Sequence, residues 1–199
     1  QRVLVVGAGA GSGKPATNRM LEQVLPGKGQ VTAFNKPIIT ESKVKFVKCS
    51  VDTTHALAFR AIGRLYSHRL GGERVKSYQI ARQLGIEAFK VVLPGMGAPD
   101  EEGKPTDKIK TLQADFLAGQ IITAVRKFCQ SADRKIGTTH LPYIDGIDVE
   151  VEGKRGRANN DLTKSYLLPF CKSAWADMVD PNGTLPFSHD CYVKIWELG

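Results

Sequence analysis

The segment Val3-Leu4-Val5-Val6-Gly7-Ala8-Gly9-Ala10-Gly11-Ser12-Gly13 constrains this chain more than any other. A short apolar, β-branched run reads as a buried parallel strand. The glycines after it let a backbone turn sharply and approach a phosphate, because no Cβ stands in the way. Residues 16–25 then read as a helix with Met20, Leu21, Val24 and Leu25 on one face. Strand, glycine loop and helix N-terminus in this order make a site for a pyrophosphate, where unsatisfied N–H groups and the helix dipole meet an anion. Gly7, Gly9, Ala10, Gly11, Ser12 and Gly13 are therefore the expected binding loop of a nucleotide cofactor.

Two kinds of loop compete for the segment. A P-loop needs G-x-x-x-x-G-K followed by Ser or Thr, whose hydroxyl is a magnesium ligand. Gly13-Lys14 fits that pattern, but Ala8 replaces its first glycine and Pro15 its hydroxyl residue. Proline offers neither a hydroxyl nor an N–H. The dinucleotide pattern G-x-G-x-x-G is met by Gly7 and Gly9, with Ser12 in place of the third glycine; as G-x-x-G-x-x-G, Gly7 and Gly13 fit and Ala10 stands in the middle. A dinucleotide loop is the better fit, and a P-loop kinase or NTPase is the remote alternative.

At 199 residues the chain reads as a single domain with a full core. Its content of 42% hydrophobic and 24% charged residues is that of an ordinary globular protein. No run approaches the ~20 apolar residues of a membrane span, and no signal-peptide pattern opens the sequence, so a cytoplasmic protein with no membrane partner is expected. Cys49, Cys129, Cys171 and Cys191 are far apart and form no C-x-x-C pair, which argues for four reduced thiols and against a zinc or other metal site. The net charge of +8 raises the question of nucleic acid. The basic groups Lys43, Lys45 and Lys48, then Arg60, Arg64 and Arg69, then Lys154, Arg155 and Arg157 are dispersed, with no interleaved aromatics to stack bases. They read as solvated surface, and nucleic acid is not the expected partner.

Further elements follow along the chain. Residues 30–34 read as a second strand, 44–49 as a third, 54–65 and 73–84 as helices, with Gly85 as a stop. Residues 89–93 read as a buried strand ended by Pro94-Gly95, and 108–129 as a long helix after a polar loop. In the last third, 147–151 reads as a strand, 162–175 as a helix and 192–196 as a terminal strand. Strand and helix alternating in this way predict a parallel α/β sheet covered by helices.

Laid out in this order, the chain resembles an atypical short-chain dehydrogenase/reductase, and within that group the flavin reductase/biliverdin-IXβ reductase family. The likeness is carried by RVLVVGAGAGSG, QVTAFNK, FVKCSVD, ARQLGIEAFKVVLPG, LQADFLAGQIITAVRK, HLPYIDG and NNDLTKSYLLPFC, in that order over most of the chain. The resemblance implies a Rossmann-like parallel sheet with helices on both faces, NADP as cofactor, and hydride transfer to a flavin or a linear tetrapyrrole by a monomer. It also implies a chain shortened between the third and fifth strands, where residues 55–63 serve either as helix or as strand. If they are strand, Gly63 and Arg64 occupy the nicotinamide-side turn; if helix, that turn is absent. The family's Ser after the fifth strand corresponds to Met96, and its His in the segment around His140 corresponds to Tyr143. A non-catalytic NADP-binding sensor of the same fold is the alternative from another functional class.

The residue-level expectations follow. Lys36, at the tip of the second strand, replaces the acid that would hold the ribose hydroxyl of NAD and suits the 2′-phosphate of NADP; an ordinary surface lysine would look the same in sequence. By resemblance, Ser50 and Val51 end the third strand beside the adenine, with Asp52 available as the acidic residue or as a helix cap. Pro94 and Gly95 allow close approach of the nicotinamide amide. Tyr143, His140 and Met96 line the expected substrate end, where the cofactor carries the hard chemistry. No Tyr-x-x-x-Lys pair is present, which disfavours classical alcohol oxidation.

Overall fold

The computed structural model of the protein describes residues 5, 7, 9–33, 35–72, 75–145, 147–151, 154–156 and 166–199. They form a mixed helix and sheet structure that divides into two compact units, Gln1–Ala61 and Ile62–Gly199. The strand expected at residues 3–6 lies, apart from Val5, outside the described residues.

In the first unit, α1 (Lys14–Val24) follows the glycine loop and leads to β1 (Gln30–Ala33). Next come α2 (Lys36–Lys45), β2 (Ser50–Thr53) and α3 (Thr54–Ala61). β1 and β2 are parallel, with Gln30 opposite Ser50 and Ala33 opposite Thr53, and α2 is the crossover between them. α2 starts abruptly because the Asn35 side chain accepts the Ile38 N–H at 3.1 Å and Pro37 fits the first turn. Lys43 and Lys45 in its last turn complement the dipole, and Lys45 also pairs with Glu41 one turn back. These signals override the alternation that reads as a strand over 44–49. Val44 and Val47 are 86% and 88% exposed, only Phe46 turns inward, and the strand begins later, at Ser50. Ile39, Phe46 and Val51 form the small core, with Val31, Ala33 and Cys49 against it.

The second unit opens with a 3-10 helix, Gly63–Arg69, then α4 (Ser77–Leu84). Residues 54–61 are therefore helical, and no strand lies between β2 and β3 among the described residues. Gly85 adopts φ +67° and ends α4 by a reversal in which the Ile86 N–H reaches the Ala81 carbonyl at 2.8 Å. β3 (Phe89–Leu93) and β4 (Lys108–Leu112) are antiparallel, Phe89 facing Leu112 and Leu93 facing Lys108. The expected helix over 108–129 is thus a strand followed by α5 (Ala114–Cys129). Ile109 and Thr111 are β-branched and suit the ladder; Gln113 is extended, and the helix starts only behind it. β3 is buried on one face alone, at Val91 and Leu93, as an antiparallel hairpin permits.

β5 (Val149–Val151) and β6 (Lys154–Gly156) form a further antiparallel pair, followed by α6 (Leu168–Val179) and α7 (His189–Leu198). The part of the expected helix at 162–165 lies outside the described residues. The terminal segment 192–196, rich in β-formers, is helical. Cys191, Lys194 and Leu198 recur on one side and face the core, a period a strand cannot use. α5 is the centre of the unit: Leu117, Ala118, Ile121, Ala124, Val125 and Phe128 form a continuous buried stripe. α4, β3, α6 and α7 pack their apolar residues around it. The described strands thus form three two-stranded sheets, one of them parallel.

Candidate functional site

Gly11 and Gly13 have φ +75° and +74°, a region where a side chain would be strained. The loop they shape is closed on the Gly9 carbonyl, which accepts the Ser12 hydroxyl at 2.8 Å and the Lys14 ammonium at 2.7 Å. A Cβ at Gly7, Gly9, Gly11 or Gly13 would meet no atom within 4 Å, so this side of the loop is open to an incoming group. Gly13 caps α1, whose first turn contains Pro15 and no acidic residue. The first N–H groups of a helix have no partner within it, and no side chain caps those of α1. Ala10 completes the bend. The donor set fits a phosphate.

Lys36 is the first residue of α2, just past the C-terminal end of β1, with an exposed side chain. Ser50 and Val51 sit elsewhere than expected. Because the strand starts at Ser50, both lie toward the opposite end of the parallel pair from Lys36. The Ser50 hydroxyl bonds Gln30 Oε1 at 2.7 Å, and Val51 is core. At the C-terminal end of β2, Asp52 accepts the Arg60 guanidinium at 2.6 Å, and that hydrogen bond holds its carboxyl below the usual range. Thr53 Oγ1 accepts the Ala56 N–H at 3.1 Å and caps α3.

The remaining predicted residues belong to the second unit. Gly63 is buried and Arg64 exposed in the 3-10 helix; with 54–61 helical, the strand-ending turn that both would occupy behind a strand is absent. Pro94, Gly95 and Met96 form a turn at the end of β3, the first part of the 94–107 connection to β4, with Gly95 at φ +69° and its N–H on Asp107 Oδ1 at 3.1 Å. The connection reverses at residues 100–104, where the Asp100 N–H reaches the Lys104 carbonyl at 2.9 Å, and returns as an antiparallel strand instead of leading into a helix; Met96 is exposed.

His140 is buried. Its Nδ1 accepts the Gly137 N–H at 3.0 Å, while Nε2 meets both Ser131 Oγ at 3.2 Å and Asp133 Oδ2 at 3.1 Å. Serine and aspartate on one nitrogen cannot form a relay, which needs them on opposite sides of the ring. His140 pins the loop after α5, its ring edge-on to Phe128 at 5.3 Å. The Tyr143 hydroxyl donates to the Asp148 carbonyl, and Asp148 Oδ2 accepts the Ile144 N–H at 2.8 Å, closing a tight loop.

Arg69 was grouped with the solvated cations, yet its side chain is 5% exposed. Nη1 donates to the carbonyls of Asp177 (3.2 Å), Met178 (3.3 Å) and Asp180 (2.6 Å). Nη2 donates to Leu185 O at 2.9 Å and Asp177 Oδ1 at 3.2 Å, and the guanidinium lies 4.9 Å from the Phe187 ring centre. The same carboxylate takes the N–H groups of Thr184 and Leu185 at 3.2 and 2.9 Å. Gly183 is required there, since a Cβ would come within 1.9 Å of the Asp177 carbonyl. The readable signal was Asp180-Pro181-Asn182-Gly183, a tight turn whose carbonyls need a donor.

Among the described residues no group of three or more His, Cys, Asp or Glu is placed to hold a metal ion, and no helix is long and apolar enough to cross a membrane. Compared with protein-family models, curated proteins and solved structures, the chain has no match.

Proposed function

We propose that the chain is an NADPH-dependent reductase whose first unit is a Rossmann-like nucleotide-binding half, acting in the cytoplasm on a flavin or a linear tetrapyrrole. One observation carries the reading: an open glycine loop capping α1, followed by a parallel β1–α2–β2 crossover with Lys36 at the strand tip. In this reading the N–H groups at the start of α1 take the pyrophosphate, and the Lys36 ammonium takes the 2′-phosphate. Bound NADPH supplies the hydride; the chain's own part is to hold and orient it.

Thermal-shift titration with NADP, NAD and ATP tests the binding, because a ligand of the folded state raises its melting temperature with concentration. NADP is expected to stabilise most, and stabilisation by ATP with magnesium alone would overturn the reading. NADPH oxidation with FMN, riboflavin or biliverdin then tests the chemistry. A second reading, an NADP-binding sensor without turnover, is favoured by the engagement of Tyr143 with Asp148 and by Met96 standing exposed in the turn after β3. Binding of NADP without oxidation of NADPH by any of the three acceptors supports the sensor.

A further inference from the structure

A cleft of about 800 Å³ opens in the second unit between the start of α4, one face of α5 and the loop that the Arg69 clamp holds down. That volume is in the range of small-molecule sites. Ile80, Ile122, Leu185 and Phe187 give it apolar surface. Its rim is cationic. Lys76 and Arg126 are both exposed, and among the described residues neither head group has an acidic partner. No described lining residue is acidic, and the first turn of α4 adds the positive end of a helix dipole.

Gly119 supplies an independent observation. It stands in the middle of α5, where glycine weakens a helix relative to alanine. No packing demands it, since a Cβ there would meet nothing within 4 Å. The space it leaves free is the cleft. Opposite, Phe187 is stacked on Tyr66 at 4.7 Å and lies under the Arg69 guanidinium, so that wall is fixed before any ligand arrives.

We infer that this cleft binds an amphipathic anion: a small molecule with an apolar body on Ile80, Ile122 and Phe187 and a carboxylate, sulfonate or phosphate between Lys76 and Arg126. The site lies wholly within Ile62–Gly199 and does not rest on the nucleotide reading of the first unit; the NADP titration decides that one separately.

The test uses the full chain and two dyes with the same apolar body, anionic 8-anilinonaphthalene-1-sulfonate and its uncharged counterpart N-phenyl-1-naphthylamine. The sulfonate is expected to bind at one site, about tenfold or more tighter than the neutral dye, as a charge-assisted contact provides. Lys76→Gln and Arg126→Gln should each weaken the sulfonate about tenfold and leave the neutral dye unchanged. Gly119→Leu should abolish binding of both while the melting temperature holds or rises. Absence of sulfonate binding, equal affinity for the two dyes, or sulfonate affinity indifferent to both charge changes would each overturn the proposal. If Gly119→Leu does not fold, the two glutamine variants decide alone.

Discussion

The two units solve the problem of burial to very different degrees. In Ile62–Gly199 one helix, α5, gives a whole face to the interior, and four other elements close around it. Among the described residues of Gln1–Ala61 the buried apolar set is Ile39, Phe46 and Val51 with Ala58 of α3, and α1 buries no residue at all. Val24 on α1 is 75% exposed, and a hollow of about 450 Å³ lies between Leu21 and Leu25 of α1 and Val31 and Phe46. The glycine loop therefore belongs to the thinly packed unit, while the dense unit contains the buried clamp. Stability and the nucleotide-like signature are separated along the chain, and substitutions in the two units should behave as two populations.

The largest effect is expected at the clamp. Arg69→Ala removes the cation, takes the guanidinium from four carbonyls and leaves the Asp177 carboxylate with neutral donors and no counter-charge, a loss of roughly 3–5 kcal/mol. Urea denaturation followed by tryptophan fluorescence, which reports Trp175 beside Phe128, would measure it. A loss under ~1 kcal/mol would mean that the dense unit does not depend on the clamp.

Lys36→Ala comes next and acts on the other unit. It should weaken NADP by about ten- to a hundredfold, equivalent to ~1.5–3 kcal/mol, and leave NAD nearly unchanged, with the difference shrinking as salt rises. Equal small changes for both, read by calorimetric titration, would return Lys36 to the ordinary surface.

Alkaline pH sharpens the comparison from the dense side. Burial pushes the Cys171 thiol up to about 12. Above the ordinary thiol value the unfolded chain ionises while the folded one keeps its proton, so the unfolded state binds fewer protons and stability falls as pH rises. The fall is about 1.4 kcal/mol per pH unit between ~9 and 12 from this group alone. Cys171→Ala should therefore flatten, without abolishing, the loss of urea midpoint between pH 8 and pH 10; an unchanged slope would contradict the assignment.

The smallest effect is expected on α1. Val24→Ala removes an exposed side chain and improves helix propensity, so its change should stay within about ±0.5 kcal/mol. A loss of several times that size in thermal unfolding would show that α1 is covered in solution.

The elements legible in the sequence were those with a signal of their own. α4 with its Gly85 stop, β3 with the Pro94-Gly95 turn, and the α5 stripe from Leu117 to Phe128 each fix their type locally. The segments 44–49 and 192–196 failed because three or four β-branched and aromatic residues in so short a stretch fit either period, and the deciding information lay outside them. Asn35 decides the first from nine residues upstream of Val44, and the packing of Cys191 and Leu198 decides the second. The same limit hid Arg69. Its sequence neighbourhood is basic and polar, and its partners appear more than a hundred residues later. The glycine loop was readable because its chemistry is contained in consecutive residues.

That distance along the chain has a consequence for biosynthesis. When Arg69 leaves the ribosome, none of its acceptors has been made, and the ring beneath it, Phe187, is more than a hundred residues away. Closing so long a loop carries its entropic cost before any contact rewards it, so the unit must remain open until its final two helices arrive. A chain cut short before Asp177 would carry a strand hairpin and a central helix with no lid and an unanswered charge at its edge. The second unit is therefore indivisible: it completes as a whole once α6 and the loop behind it are made, or it is left for the proteases.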